Sequence, residues 1–386
     1  MHHNSPGNID ALSDLNKLQV LNLNHIILTD LSPLEKLVNL RELHLSFTNN
    51  KDLSLLASLI NLVKLTINGN KIENITFLRP MKQLKVLDIN NEASENVELD
   101  ISSLFELDSL VDLQMAGNGI TDVTCLSSLV NLQSLILKAS RNNLQDASTL
   151  STLSKLETLY LPFNNISNIS GFNQLGELRD LDLNHKDLVS LSELSYNTIL
   201  QFLNAGYNHI QNCEPISQMD ELVSLHLDGN QNFCIELLRN LSNLNGLNLR
   251  ENQITDIGPL SNNYALMSLD VSFNNISDIT ALQELTELQG VDLTRNHIKD
   301  IGSLSGLCGL YELSQNHNEI SDVSPLNGDD MLELATLRLA CNRINDAGPL
   351  LLLGNLSHLE LASNPIEDTS ILEDLDFYCD ILTEID

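Results

Sequence analysis

Carboxylates at a fixed offset are the first residues in this chain whose spacing suggests chemistry. Asp270 and Asp292 stand 22 residues apart, and the same offset links Tyr160 to Asp182 and Asn204 to His226. If the offset is one coil of a repeating structure, Asp270 and Asp292 face the same way on neighbouring strands, about 5 Å apart. Paired carboxylates do acid and base work when burial separates their pKa values; on an open face they are solvated charge. Asp180, Asp182, Asp228 and His226 would face a cation from neighbouring strands, but no compact ligand loop accompanies them. No nucleophile sits in a G-x-S-x-G setting, and no H-E-x-x-H, P-loop or glycine-rich dinucleotide turn is present. The ten histidines are scattered and the six cysteines form no C-x-x-C pair, so the reading is no metal, no cofactor and no catalysis.

What positions these residues is a repeat. Leu18, Leu40, Leu62, Leu84, Leu110, Leu132, Leu156, Leu178, Leu200, Leu222, Leu244, Leu266, Leu288, Leu310, Leu334 and Leu356 each open a unit L-x-x-L-x-L-x-x-N, and twelve of the fifteen intervals are 22 residues. A unit this short cannot bury its own apolar stripe and becomes stable only when neighbours stack into one continuous core. In residues 266–287, alternation points Leu269 and Val271 inward and Ser268, Asp270 and Ser272 outward from a short strand. Asn274 then turns the chain, its amide placed to pair backbone groups of the turn and of the next coil. Ile276, Ile279 and Leu282 return to the core on a limb too short for a full helix, so 3-10 turns are expected there.

The fold class that follows is α/β, a right-handed leucine-rich-repeat solenoid: a parallel concave sheet of about 16 strands with short 3-10 turns on the convex side. One elongated array is expected over residues 12–369, after a mobile tail at 1–11. Leu372, Leu375, Tyr378, Ile381, Leu382 and Ile385 recur at roughly helical spacing and predict an amphipathic capping helix over 370–386.

Twenty Lys and Arg against 52 Asp and Glu give a formal net charge of −32, which repels phosphate backbones and argues against a nucleic-acid partner. Aromatic residues are 4 % of the chain and Trp is absent, so a drug-sized apolar pocket is not expected. No run of about 18 apolar residues offers a membrane span. The chain does not open on a basic start followed by an apolar stretch. Its dispersed cysteines suit reduced thiols, Cys213 standing where Ile257 and Ile279 stand in their own repeats. Together these point to a cytoplasmic, monomeric protein.

Regular positions are explained by packing, so the exceptions inform about function. The turn Asn is replaced in five units, by Ile26, Thr48, Glu92, Ser140 and Lys186, all in the first half. Extra residues fall within 90–100, 138–149 and 327–330, and loops held by a rigid scaffold often bind. Outward strand positions are mostly small or polar, as at Asn22, His44, Thr66, Asp88, Gln114, Asn248 and Ser314. Apolar side chains gather at Ile136, Tyr160, Pro162 and Phe202, with Asp180, Asp182 and Asn184 between them and Asn204 and His226 beside them. Aromatic anchors next to polar groups dominate interface energetics, which makes these nine residues the candidate partner-binding set. Phe47, Phe163, Tyr207 and Phe273 precede the turn position and are read as covering the sheet edge.

The linkers TDLSPL, TDIGPL and SDVSPL, each following a strand and its Asn position, resemble the D-I-x-P-L linkers of the internalin-like leucine-rich-repeat family over about residues 12–372. The resemblance implies a bacterial binding protein whose concave face grips another protein. The expected function is therefore a non-catalytic protein-binding module. The alternatives are an intracellular regulatory subunit of a protein phosphatase, or the recognition part of a larger bacterial effector enzyme.

Overall fold

From residue 42 to residue 360 each coil begins with a three-residue strand whose central side chain is buried; in the first strand, at 20–22, the central Leu21 is half-buried. The computed structural model describes residues 7–91, 98–138, 144–185, 187–230, 235–326, 331–366 and 380–382. Its contacts divide the chain into two units, residues 1–188 with 193–200, and residues 189–192 with 201–386.

In the first unit β1 (Val20–Asn22), β2 (Glu42–His44), β3 (Lys64–Thr66), β4 (Val86–Asp88), β5 (Asp112–Gln114), β6 (Ser134–Ile136), β7 (Thr158–Tyr160) and β8 (Asp180–Asp182) pair in parallel, each with the next. In the second unit β9 (Phe202–Asn204), β10 (Ser224–His226), β11 (Gly246–Asn248), β12 (Ser268–Asp270), β13 (Gly290–Asp292), β14 (Glu312–Ser314), β15 (Thr336–Arg338), β16 (His358–Glu360) and β17 (Asp380–Leu382) do the same. Like positions pair throughout: Leu247 with Leu269, Leu269 with Val291, Leu337 with Leu359. Stacking identical coils in register lets each Leu bury against its counterparts above and below, so the chain is a leucine-rich-repeat solenoid.

The return limbs are 3-10 turns such as Ser32–Lys36, Thr124–Ser128 and Gly258–Asn262. Many are started by an Asp: Asp30 accepts the Ser32 N–H at 2.8 Å, Asp278 that of Thr280 at 2.9 Å and Asp300 that of Gly302 at 2.8 Å. These bonds hold the Asp30 and Asp278 carboxyls below the usual carboxylate range. Ten aspartates act this way, so part of the strong acidity is repeat architecture rather than solubility alone.

The Asn ladder forms, but toward the preceding coil and not the next one. Asn274 Nδ2 donates to the carbonyls of Val271 and of Leu249 one coil back, both at 3.0 Å, while its Oδ1 accepts the Ile254 N–H at 3.0 Å. In the first unit the buried Thr48 hydroxyl takes an Asn's place, 3.0 Å from the Leu45 carbonyl and 3.0 Å from Asn70 Oδ1. The residue before each ladder position is left-handed, with φ of 57° at Phe47 and 55° at Phe273, a conformation that costs about 1–2 kcal/mol outside glycine. Glycine takes the position where the preceding ring needs the space: a Cβ on Gly69 would lie 2.4 Å from the Phe47 ring.

Four expectations change. Ser272 and Ser314 are buried rather than exposed. The strand ends two residues before Ser272, so alternation stops there and the side chain packs at the rim, where the Arg250 guanidinium donates to its Oγ at 3.3 Å. The tail is shorter than residues 1–11: the Gly7 N–H donates to the Ile27 carbonyl at 3.0 Å and a 3-10 turn runs over Asp10–Asp14. Finally, Asp380–Leu382 form β17 beside β16, where a helix was expected over 370–386; the other residues of that segment lie outside the described residues. Ile381 pairs with Leu359, one 22-residue step back, so repeat register prevails over helical spacing and the open edge of β16 gains a partner.

Candidate functional site

Eight of the nine candidate residues fall into two patches, one in each unit. In the first, parallel register sets Ile136 beside Tyr160 and Tyr160 beside Asp182, all partly exposed. The Tyr160 hydroxyl donates to Asp180 Oδ2 at 2.5 Å. Burial, reinforced by this bond and by the charges of Asp180 and Asp182, pushes the Tyr160 hydroxyl pKa far up. Burial also raises the Asp180 carboxyl against the opposing effect of the Tyr160 bond. The phenol is therefore a fixed donor whose ring remains open to contact. Asp182 Oδ1 accepts the Asn184 N–H at 3.0 Å, closing the strand's end. Pro162 does not belong to this surface: it is buried two residues past the end of β7, at the rim position that also buries Ser272.

In the second unit Phe202 is 43 % exposed at the start of β9, the one Phe, Tyr or Trp on an outward strand position among the described residues there. Phe202 pairs with Ser224 and Asn204 with His226. Asn204 Oδ1 accepts the Gly206 N–H at 3.2 Å, so its acceptor is committed to the turn. The inserted segments fall mainly outside the described residues, which exclude 92–97, 139–143 and 327–330.

The carboxylate pair is real as a neighbourhood, since Asp270 and Asp292 are register partners. Burial, and then the Asp270 charge, raise the Asp292 carboxyl, although bonds from Thr294 and the Arg250 charge oppose the shift. Each nevertheless caps its own turn, Asp270 through Ser272 and Asp292 through Thr294, both at 2.9 Å, which gives them a structural task. Among the described residues no group of three His, Cys, Asp or Glu side chains is placed to hold a metal ion.

Sequence reasoning missed two arrangements. On the face of β14–β16, Arg338 pairs with Glu312 and Glu360 and donates to Ser314 Oγ at 3.1 Å, which is why Ser314 is covered. At the sheet edge the guanidinium carbons of Arg250 and Arg295 lie 4.0 and 5.1 Å from the Phe273 ring centroid. Glu251, Phe273 and Arg295 are 22 residues apart at one repeat position, a signal that was present but unread.

Among solved structures, an internalin of Listeria monocytogenes is 28 % identical with a TM-score of 0.73, the match covering 78 % of this chain and 88 % of that one. A leucine-rich-repeat protein of Leptospira interrogans superposes with a TM-score of 0.83 at 24 % identity, over 98 % of this chain and 100 % of that one. The leucine-rich-repeat ectodomain of the Arabidopsis receptor kinase HAESA, solved with a peptide hormone ligand, reaches a TM-score of 0.68 at 22 % identity, over 92 % and 72 %. No protein-family model and no curated protein sequence matches the chain. Repeat, fold and likeness define an internalin-like leucine-rich-repeat protein. No helix among the described residues is long and apolar enough to cross a membrane.

Proposed function

We propose that the chain is a non-catalytic protein-binding module that contacts its partner through the outward strand face, with the inserted loops as additional contacts. The observation that carries this reading is the exposed aromatic surface on an otherwise small and polar sheet face: the Ile136–Tyr160 pair in one unit and Phe202 in the other. Rigid aromatic side chains beside polar groups are what interface hot spots are made of. The internalin and peptide-receptor likenesses support the reading, because the receptor's structure holds a peptide hormone. Asp180, Asp182, Asn184, Asn204 and His226 serve as the polar surround.

The test is a partner recovered by pull-down and titrated by calorimetry. Tyr160→Ala and Phe202→Ala should each weaken binding by about 2 kcal/mol or more with the fold retained, and Thr66→Ala should change little. Charge reversal at Asp180 and Asp182 should slow association and alter its salt dependence if the partner is basic. Unchanged affinity for both aromatic variants would remove the strand face as the binding surface.

A further inference from the structure

One edge of the second unit carries a charge that no carboxylate among the described residues neutralises. Glu251, Phe273, Arg295 and His317 occupy the same place in four consecutive coils, each left-handed with φ of 54°, 55°, 55° and 57°. Stacked coils turn that shared place into a column of side chains along the sheet edge. Within it the Arg250 and Arg295 guanidinium carbons lie over the Phe273 ring, at 4.0 and 5.1 Å from its centroid.

The two arginines are not equivalent. Arg250 is engaged, its Nε donating to Glu251 Oε1 at 3.0 Å and its Nη1 to Ser272 Oγ at 3.3 Å. Residues 201–386 hold six Lys and Arg side chains; Arg239, Arg250, Lys299, Arg338 and Arg343 are ion-paired with glutamates, and among the described residues Arg295 has no such partner. Glu319, two residues past His317, is already approached by His297 at 3.9 Å, Lys299 at 3.6 Å and Arg343 at 2.8 Å. Arg295 is exposed. In a chain with 52 acidic residues, a guanidinium without a carboxylate marks a locally positive edge. The neighbouring imidazole senses it: burial, and then the Arg295 charge, lower the His317 pKa.

We propose that Arg295, seated on the Phe273 ring, is a docking point for a carboxylate of the partner protein. The proposal rests on the protein-binding reading above. A guanidinium presents a planar fork of donors that matches a carboxylate with two parallel bonds. Contact with the ring orients that fork before binding, so less side-chain freedom is lost when the pair forms. The net charge of −32 selects among anions, because it repels a polyanion or a phosphate dianion while admitting a single carboxylate on an otherwise basic surface. Long-range attraction then brings the basic partner in, and the Arg295 contact fixes its orientation.

Two measurements test this. First, the full chain labelled with ¹⁵N-arginine is titrated with a blocked Gly-Glu-Gly tripeptide and, separately, with inorganic phosphate, following the arginine Nε–H signals. A saturable shift of the Arg295 signal with the tripeptide, at least twice that of Arg239 and Arg338, is expected, and Phe273→Leu should weaken it about threefold. An unmoved Arg295 signal, equal shifts at all arginines, or a response to phosphate alone would overturn the proposal. Second, against a captured partner, Arg295→Gln should weaken binding about tenfold, Arg295→Lys should recover part of the loss, and Arg239→Gln should have no effect. Unchanged affinity in Arg295→Gln overturns the docking point while leaving the module reading intact. Absence of any partner ends the module reading, and the tripeptide titration then decides the chemistry of Arg295 alone.

Discussion

Replacing Gln315 by Leu should stabilise the protein. Gln315 is fully buried at the inward position that follows the central strand residue, where the neighbouring coils have Leu249, Val271, Leu293, Leu339 and Leu361, all buried. Neither its Nε2 nor its Oε1 has a hydrogen-bond partner. A buried donor or acceptor without a partner costs about 1–3 kcal/mol, and the amide carries both. Leu is similar in length and adds apolar burial of up to about 2 kcal/mol, against roughly 1 kcal/mol for imperfect shape. The expected net gain is about 2–4 kcal/mol. Leu293→Gln, one coil earlier, should lose a similar amount by creating the same defect. Urea denaturation gives the total effect. Because coils couple mainly to their neighbours, hydrogen exchange at the amides of Leu293, Leu313 and Leu339 should show where it acts. A Gln315→Leu variant no more stable than the parent would refute the reasoning, since it would mean that the amide is satisfied, for instance by an internal water.

The ladder and the acidic residues give further expectations. Asn274→Ala should cost about 1–3 kcal/mol, because the Ile254 N–H and the Leu249 and Val271 carbonyls lose their partner, whereas the exposed Asn275→Ala should stay within about 0.5 kcal/mol. The capping aspartates Asp30, Asp52, Asp100, Asp122, Asp278 and Asp322 have carboxyls lowered by their turn bonds, so their contribution is full above about pH 4 and is lost as pH falls through the lowered values. Asp88, Asp180 and Asp292 are raised, chiefly by burial, so their ionisation costs stability near neutrality and that cost is relieved as pH falls through the raised values. Thermal unfolding from pH 3 to 8 should therefore peak on the acid side of neutrality, and a steady rise from pH 4 to 8 would contradict this.

Much of the candidate site was legible before any coordinates. The 22-residue offset places Tyr160 beside Asp182 and Asn204 beside His226, because in-register parallel stacking turns sequence distance into spatial adjacency. Pro162 and Ser272 were misread because alternation was carried two residues past a three-residue strand. The Arg250–Phe273–Arg295 group was overlooked because its members look unremarkable singly, and their charge matters only relative to which neighbours are already paired.

The sequence alone determined the coil: the leucine spacing dictates parallel stacking, the short return limb dictates 3-10 turns, and the recurring Asn and Asp dictate how buried and turn backbone groups are satisfied. Such features repeat with the period of the chain, so one coil specifies all the others. Tertiary structure decided what does not repeat: which way the Asn ladder reaches, the burial of Gln315 without a partner, the cover that Arg338 gives Ser314, and the unpaired state of Arg295. Each depends on the competition among several side chains from adjacent coils for the same few atoms, and that competition is settled by distances that a one-dimensional pattern does not contain.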